Sequence, residues 1–72
     1  MTVYQRLKNL REDADKSQED IANVIGTSQS YYAQYENGKR AMPFERMIVL
    51  ARYYNVSLDY IAGLIDTKRK IK

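Results

Sequence analysis

The spacing of hydrophobic and polar residues along this chain predicts α-helices. Apolar residues recur three or four positions apart in five segments, which places them on one face of a helix in each. The first segment begins after Thr2, which is spaced with Gln5 as a capping box, and its apolar stripe consists of Tyr4, Leu7 and Leu10.

The second and third predicted helices follow each other closely. Ser17 and Asp20 have the spacing of a capping box at the start of the second helix, and Gly26 is expected to end it in a left-handed conformation. Ser28 caps the third helix, which is predicted over about residues 29–37. Only one residue separates Gly26 from Ser28, so the two helices are expected to cross sharply. The apolar face of the second helix consists of Ile21, Ala22 and Ile25.

Two more helices complete the predicted fold. Pro43 suits the first turn of the fourth helix, and Asn55 can close that helix in a left-handed conformation. Ser57 caps the fifth helix, and Gly63 is expected to begin its end. Their apolar residues are Phe44, Met47, Ile48, Leu50 and Ala51 in the fourth helix, and Leu58, Ile61, Ala62 and Ile65 in the fifth. The pattern therefore predicts an all-α fold.

Length and composition narrow the possible functions. The 72 residues allow one domain, predicted over residues 1–66, followed by a basic tail over residues 67–72 that is expected to be disordered. Cysteine and histidine are both absent, which argues against thiolate metal sites and most catalytic constellations. We therefore expect no enzyme activity, metal, cofactor or small-molecule ligand.

The net charge indicates which partners are possible, and the hydropathy of the chain indicates whether it could cross a membrane. The net charge of +3 permits nucleic-acid binding without requiring it. No apolar run approaches the roughly 18 residues needed to span a membrane, and the N-terminus does not resemble a signal peptide. We therefore expect a cytoplasmic protein with no membrane partner.

The third helix carries the residues most suggestive of a function. Tyr32 and Tyr35 are spaced to face inward. The residues expected to face outward are uncharged: Gln29, Ser30, Ala33 and Gln34. Glutamine can pair with adenine, serine can bond any base, and an alanine methyl can meet the methyl group of thymine in a major groove. An ordinary solvated helix face remains an equally good interpretation of these residues alone.

Several blocks of sequence together resemble a known family. They lie in order along nearly the whole chain: residues 6–11 (RLKNLR), 17–22 (SQEDIA), 26–30 (GTSQS), 35–40 (YENGKR), 50–51 (LA) and 56–60 (VSLDY). The chain resembles the helix-turn-helix class of lambdoid phage repressors and Xre-type regulators, which includes phage Cro. This resemblance implies a five-helix, lambda-repressor-like DNA-binding domain whose second and third helices form the helix-turn-helix.

The resemblance also implies roles for individual residues. It assigns base reading in double-stranded operator DNA to Gln29, Ser30 and Gln34, with Ala33 beside them. Arg11 and Glu36 match an ion pair between the first and third helices, which is favoured over the alternative that Arg11 is a lone solvated side chain. The positions that match contacts with the DNA backbone are Gln18, Asn37, Lys39 and Arg40. Tyr31 lies at the edge of the helix face that carries these base-reading positions. It could contact a phosphate or pack against the following loop, and packing is the favoured role.

Self-association is the last expectation. One recognition helix reads too few base pairs to mark a unique site, so we expect a homodimer that pairs mainly on DNA. The resemblance places the contact near the fourth and fifth helices, where the candidates are Tyr54, Val56, Leu58 and Ile65; these side chains could instead seal the core. Met42 departs from the family pattern, which often has proline there. A transcriptional repressor is the favoured function, and an antitoxin-like or adaptor protein on the same fold is the alternative.

Overall fold

The computed structural model describes residues 2–64, which form five α-helices and no strand. The helices are α1 (Val3–Asp13), α2 (Gln18–Ile25), α3 (Gln29–Glu36), α4 (Phe44–Tyr54) and α5 (Leu58–Ile61). The predicted all-α class with five helices is therefore confirmed. Within the same residues, no helix has both the length and the apolar character that crossing a membrane requires.

Side-chain caps fix where four of the helices begin. The hydroxyl groups of Thr2, Ser17, Ser28 and Ser57 each accept a hydrogen bond from the backbone N–H three residues further on. Each bond satisfies an N–H group that the first turn of a helix leaves unpaired. The reciprocal bonds that complete a capping box are present at Thr2 with Gln5 and at Ser17 with Asp20. These starts agree with the sequence-based predictions.

Some helix boundaries differ from the prediction. Pro43 precedes α4 as its N-cap, with extended backbone, rather than forming part of its first turn. The third helix ends at Glu36, and α5 ends at Ile61, so Ala62 caps α5 instead of extending it. The predicted role of Ile65 and the predicted tail over residues 67–72 lie outside the described residues.

The core is formed by residues from all five helices and from the loop before α4. Its fully buried side chains include Leu7, Ile21, Tyr32, Leu50 and Ile61. Tyr4 and Phe44 were predicted to lie on apolar stripes but are 41% and 62% exposed, so that prediction is wrong for both. Two other residues were not predicted in the core: the loop residue Met42 is buried, and Arg6 is buried with its guanidinium 4.1 Å from the centre of the Tyr60 ring.

The turn between α2 and α3 determines which face of α3 points outward. Gly26 has a φ of +77°, and the N–H of Thr27 donates to the carbonyl oxygen of Ala22 at 2.9 Å. A β-carbon at Gly26 would meet no atom within 4 Å, so the left-handed backbone alone explains the glycine. After this turn, α3 packs its Tyr32 and Tyr35 into the core, and the opposite face is left towards solvent.

Candidate nucleic-acid interface

The outward face of α3 combines polar, uncharged side chains with a rigid support. Gln29 and Ser30 are exposed, whereas Ala33 and Gln34 are partly buried at the side of the helix. Behind them, Tyr32 and Tyr35 are 0% and 2% exposed. The four residues predicted to face outward are therefore brought together on one side of a helix that is fixed to the core.

A chain of hydrogen bonds connects this face with the interior. Nε2 of Gln29 donates to Oε1 of Gln18 at 2.7 Å, and Nε2 of Gln18 donates to Oε1 of Glu36 at 3.1 Å. Gln18, at the start of α2, therefore lies beside the outward face of α3, and its side chain bonds to two protein groups. These bonds restrict the rotamers of Gln18 and Gln29 and so orient the outward amide group.

Glu36 is the centre of this network, and its side chain is 2% exposed. Arg11 donates to both carboxylate oxygens of Glu36, from Nε at 2.7 Å and from Nη2 at 3.1 Å, so the structure contains the ion pair between α1 and α3. The hydroxyl of Tyr32 donates to Glu36 Oε2 at 2.6 Å. Including Gln18, three residues thus donate four hydrogen bonds to one carboxylate.

The protonation of these groups follows from their partners. Burial by itself would raise the pKa of Glu36, but the hydrogen bonds from Arg11, Tyr32 and Gln18 outweigh it and hold the pKa below its usual value of 4.5. Burial and the bond to Glu36 raise the pKa of Tyr32, so that its hydroxyl stays protonated and remains a donor. The network is therefore fully formed at neutral pH.

The loop after α3 is held against the same face. Gly38 has a φ of +74°, and the N–H groups of Lys39 and Arg40 both donate to the carbonyl oxygen of Gln34, at 3.0 and 3.2 Å. Nε of Arg40 also donates to Oε1 of Gln34 at 3.2 Å. Lys39 and Arg40 are exposed, and so is Asn37, the C-cap of α3. Three of the residues predicted to contact phosphates thus lie at the C-terminal end of the outward face of α3.

Tyr31 is partly buried and lies under two arginine side chains. The guanidinium of Arg40 is 4.7 Å from the centre of the Tyr31 ring, and that of Arg46 is 5.8 Å from it. Arg46 also donates from Nη1 to the hydroxyl of Tyr35 at 2.8 Å. These contacts match the interpretation that Tyr31 packs against the loop, and they hold two positive charges near α3.

The side chains predicted to contact a second copy are only partly exposed in the structure. Val56 is 4% exposed and belongs to the chain's own core, so its side chain has almost no surface to offer a partner; its assignment as a dimer contact is corrected on this ground. Tyr54 and Leu58 are partly buried against the core. Ile65 lies outside the described residues.

Sequence reasoning missed two parts of this arrangement. It paired Glu36 with Arg11 but did not identify the bond from Tyr32, although the two residues are four positions apart and so share a helix face. It also gave no role to Arg46, whose partners Tyr31 and Tyr35 lie on a different helix. The Tyr32–Glu36 bond could have been found from spacing, whereas the contacts of Arg46 depend on the angle between α3 and α4.

Comparison with known proteins identifies the family of the chain. The family model described as "Helix-turn-helix" matches residues 7–61. The chain is 42% identical over 62 residues to the uncharacterized HTH-type transcriptional regulator YobD of Bacillus subtilis (strain 168), covering 86% of this chain and 55% of that protein. It is 34% identical over 71 residues to the cryptic phage CTXphi transcriptional repressor RstR of Vibrio cholerae, covering 93% of this chain and 64% of RstR. The chain therefore spans only 55–64% of the length of these two relatives.

A solved structure shows the same fold. The P22 c2 repressor, crystallised in complex with the synthetic operator 9T, superposes with a TM-score of 0.77 at 20% identity, covering 85% of this chain and 92% of that protein. The match of the family model and the identity to the two relatives together support the resemblance found from the sequence blocks. The chain belongs to the helix-turn-helix family, of the Xre type.

Proposed function

We propose that this protein is a transcriptional regulator, most simply a repressor, that binds double-stranded DNA with α3 in the major groove. The observation that carries the proposal is the outward face of α3, where Gln29, Ser30 and Gln34 offer hydrogen-bonding groups without charge. Such groups match the donors and acceptors on base edges, which the major groove displays in a different pattern for each base pair. The P22 c2 repressor, which shares this fold, was crystallised with an operator.

Contacts with the DNA backbone supply the affinity in this proposal. Exposed Lys39 and Arg40 lie directly after α3, and the N-terminus of α2 offers backbone N–H groups on the other side of the helix-turn-helix. Gln18 has one side-chain N–H beyond the one bonded to Glu36, and Asn37 is exposed beside the loop. These groups would flank the reading residues and fix the depth and direction of α3 in the groove.

We further propose that two copies bind a two-fold site. Half-sites about 34 Å apart, one turn of DNA, would place both copies on the same side of the duplex. The exposed parts of Tyr54 and Leu58, together with Ile65, remain the candidate contacts between the copies. Because that surface is small, pairing is expected mainly on DNA. A regulator of this kind acts in the cytoplasm, and it needs no cofactor or small-molecule ligand.

Selection from a random pool of double-stranded DNA tests the proposal. We expect an enriched sequence with two-fold symmetry, bound roughly 10³-fold or more tightly than a scrambled duplex of the same length. Fluorescence anisotropy at a fixed salt concentration measures both affinities. If no sequence is enriched, or if the enriched and scrambled duplexes bind equally well, the protein is not a sequence-specific regulator. In that case the antitoxin-like or adaptor function becomes the better explanation of the fold.

A further inference from the structure

The surface of α4 that points away from the core carries an unusual number of apolar side chains. Phe44 is 62% exposed, Val49 and Tyr53 are 41% exposed, and Ile48 is partly exposed. Two charged residues lie on the same surface. We call these six residues the α4 outer face: Phe44, Glu45, Ile48, Val49, Arg52 and Tyr53. Contiguous exposed apolar side chains of this kind commonly mark an interaction site.

Among residues 2–64, neither of the two charged side chains on the α4 outer face has a partner. Within residues 2–64, the side chains of Glu45 and Arg52 make neither a hydrogen bond nor an ion pair. They are seven positions apart, which is about 10 Å along the helix axis, so they do not reach each other. A partner that approached this face would therefore need a positive charge at one end and a negative charge at the other.

A second copy of α4, running in the opposite direction, meets this requirement. About an axis midway between Ile48 and Val49, an antiparallel copy places Glu45 opposite Arg52 of the other copy, and Arg52 opposite Glu45. The same axis brings Ile48 of one copy beside Ile48 of the other, and Val49 beside Val49. Phe44 lies on the same flank as the Ile48 pair and Tyr53 on the same flank as the Val49 pair, so both flanks of the interface are apolar. A two-fold interface requires this reciprocity, in which one residue contacts another and the second returns the contact.

The positions of the residues around the helix support the same arrangement. At about 100° per residue, Glu45 and Arg52 lie along the middle of the face. Phe44 and Ile48 lie on one side of that line, and Val49 and Tyr53 on the other. The two-fold axis is perpendicular to both helices and keeps each side on its own flank of the interface, so Ile48 meets Ile48 on one flank and Val49 meets Val49 on the other. Glu45 and Arg52 meet along the middle line at the same height. Helices that pack in this way approach to about 8–10 Å, within reach of these side chains.

We propose that this protein self-associates through the α4 outer face, as an antiparallel α4–α4 pair held by two Glu45–Arg52 ion pairs around an apolar centre. The face is on the opposite side of α4 from Tyr54, so it is distinct from the surface assigned to pairing on an operator. Both contacts can therefore form at once, and dimers on neighbouring DNA sites can join. The helix is only about 16 Å long, so the interface is at the small end of specific contacts and the association is weak.

Charge reversal tests this proposal without DNA and therefore independently of the regulatory function. The weight-average mass is measured by analytical ultracentrifugation from about 10 μM to about 1 mM, the range in which weak association becomes visible. The samples are the wild-type chain, Glu45→Arg, Arg52→Glu, an equimolar mixture of the two variants, and the double variant. Glu19→Arg is the matched control, because Glu19 is also an exposed acidic residue in the first turn of a helix.

The expected pattern distinguishes this interface from any other. The wild-type chain and Glu19→Arg should gain mass with concentration, whereas each single variant should weaken association at least tenfold because like charges then face each other. The mixture and the double variant should associate like the wild type, since opposite charges again meet. Circular dichroism confirms that each variant is folded. The proposal is overturned if the wild type stays monomeric at about 1 mM, if the single variants associate as the wild type does, or if neither the mixture nor the double variant regains association.

Discussion

Replacing Glu36 by glutamine tests the network that fixes α3 to the rest of the domain. The carboxylate accepts hydrogen bonds from Arg11 on both oxygens, from Tyr32 on Oε2 and from Gln18 on Oε1. All of these partners are donors. A glutamine side chain has a single acceptor oxygen, so in either orientation its NH2 group faces an N–H of Arg11.

The expected loss of stability follows from this geometry. Removing one member of a buried ion pair costs about 3–5 kcal/mol. Arg11 is 13% exposed and also donates to the carbonyl oxygen of Lys16, so water and that bond soften the loss. We therefore expect Glu36→Gln to lower the free energy of unfolding by about 3 kcal/mol, the lower end of that range. For a domain of 72 residues this is a large part of a total of about 4–11 kcal/mol.

Urea denaturation at several pH values measures the effect. The pKa of Glu36 is lowered in the folded protein, so its contribution is complete above the unfolded pKa and is lost as pH falls through the folded pKa. As pH falls below about 4.5, the wild type should therefore lose more stability than Glu36→Gln. Glu19→Gln makes the same chemical change at an exposed position and should stay within about 0.5 kcal/mol of the wild type. Equal stability of Glu36→Gln and the wild type, or an identical pH dependence, would refute the reasoning.

Four further outcomes are expected. Gln29→Ala should cost about 1–3 kcal/mol in binding to the selected DNA site but leave binding to random DNA unchanged, as measured by anisotropy. Lys39→Ala should weaken binding to every sequence and lower the salt slope by about one unit. Leu50→Ala should lower the free energy of unfolding by about 2–5 kcal/mol, because Leu50 is 0% exposed; an unchanged melting temperature would contradict this. Gly26→Ala should cost about 1–2 kcal/mol through its positive φ, and Gly38→Ala should cost more in the same urea titration, because its Cβ would also lie 3.1 Å from an aromatic ring of α1.

The parts of the fold that depend on local chemistry could be predicted from the sequence. The capping boxes at Thr2 and Ser17 and the left-handed ends at Gly26 and Asn55 involve residues within a few positions of each other. A hydroxyl group or a glycine at such a position has few structural alternatives, so its effect can be read without the tertiary structure.

Burial was harder to predict, because it depends on which elements meet. Helical spacing placed Phe44 on an apolar stripe, but no other element covers that side of α4 among residues 2–64. Met42 belongs to a loop without periodicity, yet it is buried. The burial of Arg6 was also not predicted, because a charged side chain is normally exposed. Its guanidinium is covered by the ring of Tyr60 on α5, a contact that depends on how α1 and α5 pack.

In the candidate site, too, the features set by local sequence could be predicted and those set by tertiary packing could not. The outward residues of α3 were identified from spacing and from the resemblance to a family. The bonds that orient them were not, because Gln18 and Gln29 come from different helices and meet only after the turn at Gly26 has formed. The hydrogen bond from Arg46 on α4 to the hydroxyl of Tyr35 on α3 likewise forms only because these two helices pack against each other.

The central claim is that the outward face of α3 reads base pairs, and an NMR titration tests it most directly. The side-chain NH2 signals of Gln29 and Gln34 are followed as the chain is titrated with the selected duplex and with a scrambled one. We expect both signals to shift strongly with the selected duplex only, while the backbone signals of Lys39 and Arg40 shift with both duplexes. Unshifted glutamine signals on the selected duplex, or equal shifts on both duplexes, would contradict the claim.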